Sequence, residues 1–412
     1  LRKPADRNAA DKVRAQYEAY PYPPRDPADE RKRLITGSPS HLDELCHYCF
    51  AGRLDRTRPF RALFAGGGTG DGLIMLAAQA RDRGLAVDLT YLDLSAPAAA
   101  IAAARAGVRG LSGIRFIEGS LLDIAALAPG PYDYIDCCGV LHHLPDPAAG
   151  LALLAGQLGP RGAMGLMLYG ALGRTGVYPL QAALHSLAAG ETAEQQVAIA
   201  RKLLKDLPET NWLKRNPFLG DHLRGEDAAL YDLLLHAQDR AYTVPEIAAL
   251  LDQVDLRVAG FIEPIRYQPA TWLRDPALVE RTRGLALMEA AALAENLSGH
   301  MKTHVFYAVR RDAGDTVAKP GGPDTLPVWR DADPTPLLRG LQDRGQIALN
   351  FDGHKLKLAV PDGAAALAAL IDGRRNLGDI GRALGLDWFA LKARFDRLYG
   401  LLNPLNMLFL KF

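Results

Sequence analysis

Residues Phe60–Gly72 read FRALFAGGGTGDG, and Leu89–Ser95 read LTYLDLS. The first is a short apolar run that breaks into a glycine cluster; the second is another apolar run with Asp93 near its end. A strand that turns sharply into a helix needs glycine there, because only glycine lets the backbone approach a ligand without a Cβ in the way. An acidic side chain closing the next strand accepts hydrogen bonds from ribose hydroxyls. The pair therefore predicts a nucleotide-like cofactor held at the first crossover of a parallel sheet. A glycine-rich turn alone is a weak signal. Its place between a strand and a helix is what carries the information.

Working outward, Arg61–Ala65, Asp88–Leu92, Ile114–Glu118, Tyr132–Cys137 and Ala163–Tyr169 each read as buried strands separated by alanine-rich helical segments. Strand and helix in alternation predict an α/β fold, a parallel sheet with helices on both faces. From about 173 to 253 the pattern is mostly helical, too long for a connection, and reads as a helical cap over the site. Within it Thr243, with Glu246 three positions on, is a capping box. Two further strands follow, Arg257–Ile262 and His304–Arg310. Residues 312–333 are rich in Gly, Pro and Asp and read as a linker. Residues 334–412 read as short strands flanking three small helices, resembling a winged helix. Residues 1–58 read as an N-terminal helical and aromatic arm: a helical opening to about Glu18, the string Tyr17, Tyr20, Pro21, Tyr22, Pro23, Pro24, which cannot continue a helix, and a second helical stretch around Leu42 to Leu54.

With 412 residues there is room for two or three domains. A formal net charge of +1 gives no global basic field and argues against nonspecific binding of nucleic acid. The four cysteines, Cys46, Cys49, Cys137 and Cys138, make no disulfide framework, which favours a reducing compartment and a cytoplasmic location. Cys46 and Cys49 have the spacing of a metal half-site, yet no second pair of ligands appears, so no metal is expected. No apolar run of about eighteen residues suggests a membrane span.

Taken together, four ordered segments resemble the class I S-adenosylmethionine-dependent methyltransferases, from about Tyr17 to Arg311. LFAGGGTG (Leu63–Gly70) is similar to the family's glycine-rich motif, YLDLS (Tyr91–Ser95) to its ribose-binding acidic position, FIEGSLLDI (Phe116–Ile124) to its adenine loop, and YDYIDCCGVLHHLPDP (Tyr132–Pro147) to its fourth motif. The resemblance implies a doubly wound, seven-stranded Rossmann-like sheet with its last strand antiparallel, and S-adenosyl-L-methionine as cofactor with S-adenosyl-L-homocysteine as product. It implies that Gly66, Gly68, Thr69 and Gly70 shape the turn against the methionine portion and ribose, and that Asp93 and Leu94 meet the ribose and adenine. Ser120 and Leu121 would touch the adenine, and Cys138, Gly139 and Val140 would line the methionine portion.

One departure matters. The family usually carries an acidic residue just before the glycine cluster, where Phe64 and Ala65 stand here, and Ser120 occupies a position where a carboxylate is frequent, with Asp123 three positions on. The arm residues Tyr17, Tyr20 and Tyr22 are the sequence's candidates for closing over the methionine end; the alternative is an aromatic plug packing on the sheet. Candidates for the acceptor side are His142, Tyr169, His236 and Arg240, with Arg174, Tyr178 and Tyr242 nearby. Of the double histidine His142–His143, one member reads as structural.

The implied reaction is in-line methyl transfer to an O, N or S acceptor on a protein, a peptide or a small metabolite, with a homodimer as one use of the tail. Two alternatives stand beside it. Arg374 and Arg375 permit a DNA-binding regulator that senses the cofactor, although two arginines in a turn are less than a basic recognition helix. A NAD-dependent oxidoreductase would want GxGxxG, whereas Gly66, Gly68 and Gly70 are spaced GxGxG.

Overall fold

The computed structural model of the chain describes residue 18 and residues 21–223, 227–236, 238–330, 338–340, 345–351 and 353–412. Tyr17 and Tyr20 lie outside the described residues. The large sheet contains β1 (Phe60–Ala65), β2 (Val87–Asp93), β3 (Ile114–Glu118), β4 (Tyr132–Cys138), β5 (Leu158–Gly170), β6 (Ala241–Tyr242), β7 (Leu256–Phe261) and β8 (Thr303–Arg310). Their order is β3-β2-β1-β4-β5-β8-β7, with β6 pairing beside the end of β5. β1 to β5 run parallel, and β8 enters antiparallel between β5 and β7. The seven expected strands are present; β6 is only two residues long and leaves no periodic trace in the sequence.

Alternation along each strand divides two cores. Leu63, Ala65, Leu92, Ile135 and Cys137 face one helical layer, while Ala62, Phe64, Tyr91 and Tyr134 face the other. The chain leaves β1 for β2 and β3 on one side, then returns to place β4 against the other side of β1. That reversal opens a crevice beyond the carboxyl ends of β1 and β4, where α/β sheets bind ligands.

The cap has its own core, in which Val177, Leu180 and Leu184 of helix Val177–Leu187 meet Val197 of helix Ala193–Asp206 and Leu230, Leu233 and Leu234 of helix Asp227–Leu234. The helix Val244–Asp252 opens on the expected capping box of Thr243 and Glu246.

An N-terminal strap, residues 21–40, lies across the crevice and is pinned by ion pairs. Buried Glu30 receives Arg105 at 2.6 Å and also pairs with Arg109, while Asp71 is clamped between Arg25 at 2.6 Å and Arg105 at 2.7 Å. Removing one partner of such a buried set leaves an uncompensated charge, which is why the strap stays seated.

The tail differs from a free module on a linker. The stretch 312–333 carries β9 (Leu326–Trp329), which pairs antiparallel with the last strand β12 (Leu408–Lys411), while β10 (Gln346–Phe351) and β11 (His354–Ala359) form a separate hairpin. Val328 and Leu408 to Leu410 are buried, so the two strands close a core rather than span a gap. Two buried side chains of helix Leu42–Cys49 hold this unit. Glu44 accepts from Ser38, Tyr307, Arg330 and Asn406, at 2.8, 3.0, 2.6 and 2.9 Å. His47 accepts from the Leu410 amide through Nδ1, and its Nε2 meets Tyr399 and Asn403. Burial pushes His47 down to about 3, so it serves as a neutral acceptor. Arg374 and Arg375 sit in a turn capped by Asp372, to which Arg375 is also ion-paired.

Candidate active site

The crevice holds a cavity of about 450 Å³. Its floor is the glycine turn. Gly66 has φ +73° and Gly68 φ +51°, and a Cβ on Gly66 would stand 2.4 Å from Val140 Cγ2. Both positions require glycine, for conformation and for space.

Asp93 ends β2 and reaches under the turn, accepting from the Gly68 amide at 2.7 Å and the Ser95 amide at 2.8 Å. Burial raises its carboxyl above the ordinary value, against the pull of those amides. With the Leu94 amide as a third donor, the carboxylate still has a lone pair to spare, which suits a ribose hydroxyl. Leu94, Ser120, Leu121, Cys138, Gly139 and Val140 line the same cavity, and the strap contributes Tyr22. A Cys side chain fills the cavity wall here only as a small apolar group, since burial pushes the Cys138 thiol well up.

Two residues of the glycine motif do something else. Thr69 is buried and donates through Oγ1 to the Pro23 carbonyl at 2.8 Å, tying the strap to the turn. Gly70, at φ +96°, starts helix Asp71–Asp82, and a Cβ there would meet Ala102 at 2.9 Å. Both shape the site from behind rather than line it.

On the cap side the structure separates the double histidine. His143 lines the cavity, together with Tyr169 and Asp232, whereas His142 does not. His142 packs its ring on Tyr169 at 3.9 Å, neither ring nitrogen has a hydrogen-bond partner among the described residues, and burial pushes it well below its ordinary value. Its backbone carbonyl accepts from the Arg240 amide. His236 stacks on His143 at 3.8 Å and is fully enclosed without lining the cavity. Arg240 opens onto a different, smaller cavity with Asp146, Tyr242 and Glu246, and is ion-paired to Glu246 at 3.0 Å. Tyr169 donates to Asp232 Oδ2 at 3.0 Å, and the Arg174 guanidinium lies 3.7 Å over its ring.

One backbone residue sets both tautomers of the stacked pair. The Gln238 carbonyl, which can only accept, meets His143 Nδ1 at 3.1 Å, so that nitrogen carries the proton and Nε2 keeps its lone pair. The Gln238 amide donates to His236 Nδ1 at 3.0 Å, so there the proton resides on Nε2. Ligating atoms of His143, Asp232 and His236 lie within 4.8 Å of one another, but with His236 Nε2 protonated the group offers two lone-pair donors where a facial metal triad needs three. The arrangement is a largely buried histidine–carboxylate cluster. Burial pushes His143 down to about 4, which keeps it neutral across the physiological range.

Sequence reasoning missed Asp136 and Asp232, which line the cavity, and the strap segment Ile35–Ser40 that closes it. Asp136 had a signal, an acidic residue inside an apolar buried strand. Asp232 had a fainter one, a lone carboxylate among the leucines of ALYDLLL.

A glycine cradle, a carboxylate beneath it and a histidine–carboxylate cluster line one crevice. The comparisons make the class specific. Residues 63–164 match the family described as a methyltransferase domain. An uncharacterized protein of Synechococcus sp. is 33% identical over 308 residues, covering 72% of this chain and 71% of that one. PKMT2 from Rickettsia typhi has a TM-score of 0.60 at 13% identity over 91% of this chain and 75% of its own, and its complex with AdoHcy gives 0.61 over 90% and 75%. The chain belongs to the class I S-adenosylmethionine-dependent methyltransferases. The nicotinamide alternative is thereby set aside, and the cofactor is S-adenosylmethionine.

Proposed function

We propose that the chain methylates a lysine side-chain amine on a protein or peptide, in a cytoplasmic setting. The observation that carries this is the cluster at the cavity wall: a neutral His143 with its Nε2 lone pair free of a proton, beside the Asp232 carboxylate and the Tyr169 ring. An amine arrives as an ammonium. A carboxylate suits that charge, whereas a carboxylate or thiolate acceptor would be repelled by Asp232.

When bound, S-adenosylmethionine supplies a methyl group already activated by its sulfonium. The protein's own task is alignment and exclusion of water. A histidine at about 4 is too weak a base to hold the proton of an ammonium near 10.4. His143 therefore accepts a hydrogen bond from the neutral amine and orients its lone pair, and the ammonium proton leaves beforehand to water with Asp232 easing its passage. The rate should accordingly rise with pH along the titration of the acceptor, not of His143.

The choice of a protein acceptor draws on PKMT2, whose name marks an enzyme acting on a protein lysine and whose fold likeness takes in 91% of this chain. Room points the same way. A cavity of about 450 Å³ lies in the lower half of the range for drug-sized ligands, so with the cofactor seated it admits a narrow group, such as the end of a side chain. The cysteines are all free in the structure, in keeping with a reducing compartment. The test is S-adenosylhomocysteine release against lysine-bearing peptides, phenols, sugars and thiols, with mass spectrometry of the product. One methyl on a lysine Nζ is the expected result; transfer only to a hydroxyl or a small metabolite would overturn the reading.

A further inference from the structure

The methionine end of the cofactor carries an ammonium group, and the cavity offers four carboxylates: Asp71, Asp93, Asp136 and Asp232. Asp71 is neutralised by Arg25 and Arg105, Asp93 lies under the glycine turn on backbone amides, and Asp232 receives Tyr169 on the cap side. Asp136 is set apart by its place, on β4 beside Phe64 of β1. It is 6% exposed, its hydrogen bonds come from the Ser40 hydroxyl and the Cys138 amide, and no Lys or Arg pairs with it among the described residues. A buried carboxylate without a cation is costly unless one arrives.

Its position explains the vacancy at Phe64. In the β1–β4 ladder Phe64 and Asp136 are direct partners, and both side chains face the layer of Tyr134. Asp136 lies under the start of helix Asp71–Asp82, where a Cβ on Gly72 would be 3.2 Å from its Oδ2. We propose that Asp136 is the ammonium-binding carboxylate of this cofactor site, supplied by β4 at the register position where β1 carries Phe64, with Ser40 of the strap fixing its orientation.

A pH dependence follows. Burial pushes the Asp136 carboxyl up to about 6. Of the groups around it, Tyr134 and Cys138 are raised well above their ordinary values, Asp71 is lowered by its arginines and His143 lies at about 4, while Asp93, which burial also raises, lies under the nucleoside side of the turn, where methylthioadenosine reports it separately. Below about 6 the carboxyl is neutral and the ammonium loses its partner; above it the pair forms. Affinity for S-adenosylhomocysteine should thus rise as pH increases from 5 to 7.

The experiment is calorimetric titration of the full chain with S-adenosylhomocysteine and with 5′-methylthioadenosine, which keeps the nucleoside and lacks the amino-acid end. Asp136→Asn should weaken S-adenosylhomocysteine by ~10- to 100-fold, the span of a charge-assisted contact, and leave methylthioadenosine within about threefold. The pH slope for S-adenosylhomocysteine should fall in the variant to the one methylthioadenosine shows, which reports Asp93 without Asp136. Equal losses on both ligands would show a merely structural role and overturn the proposal, as would an unchanged affinity or a pH-independent wild type. None of these readouts involves the methyl acceptor, so their failure is distinct from failure of the lysine assignment.

Discussion

The two halves of the cavity are built by opposite means. At the glycine turn the backbone shapes the wall: positive-φ glycines clear space, and amides orient Asp93. On the cap side the backbone does the orienting and side chains make the wall, with Gln238 fixing the tautomers of His143 and His236 while Tyr169, Asp232 and His143 line the cavity. The first half is suited to one cofactor and tolerates little change. The second can be revised by single side chains, which is how one fold serves many acceptors.

If the halves are separable, changes in one should leave the other's readout alone. The largest effect is expected for His143→Ala, which should lower kcat by about 100-fold through lost alignment while S-adenosylhomocysteine affinity stays within about threefold. A parallel collapse of affinity would break the comparison, because the loop after β4 would then be serving the cofactor. Tyr169→Phe is the milder probe. Losing the hydroxyl that Asp232 accepts should cut kcat by roughly 5- to 10-fold, again without a change in cofactor affinity. Steady-state kinetics beside calorimetry separates the two quantities for each variant.

The difference between the halves also governs what the sequence reveals. Glycine at fixed offsets after a strand and an acid closing the next strand are local patterns, so Gly66, Gly68 and Asp93 are visible in the chain and line the cavity as their spacing predicts. The parallel direction of β1 to β5 was equally legible, because alternation of apolar strands with alanine-rich helices is a local signal; their order across the sheet was not. The cap side is assembled from residues far apart in sequence. Tyr169, Asp232 and His143 meet only once β5, a cap helix and the loop after β4 are packed, and nothing local distinguishes His143 from His142. Choosing between them takes the Gln238 carbonyl, 95 positions away.

Asp136 marks the boundary between these cases. It sits in plain view in YDYIDCC, but reading it as a replacement for the acid missing at Phe64 requires the β1–β4 register. The tail shows the same limit: β9 lies in a stretch whose Gly and Pro content reads as linker, and its partner β12 is some eighty residues on. Non-local pairing, not weak propensity, is what hid both.

The account rests on the glycine turn as the seat of S-adenosylmethionine, and its most direct test is calorimetric titration of the full chain and of Gly66→Val with S-adenosylhomocysteine and with NAD. The wild type should bind S-adenosylhomocysteine and not NAD. In the variant a side chain at φ +73°, aimed into Val140, should weaken binding by about 100-fold or more. Binding of NAD without S-adenosylhomocysteine, or a Gly66→Val chain that holds S-adenosylhomocysteine as tightly as the wild type, would contradict it.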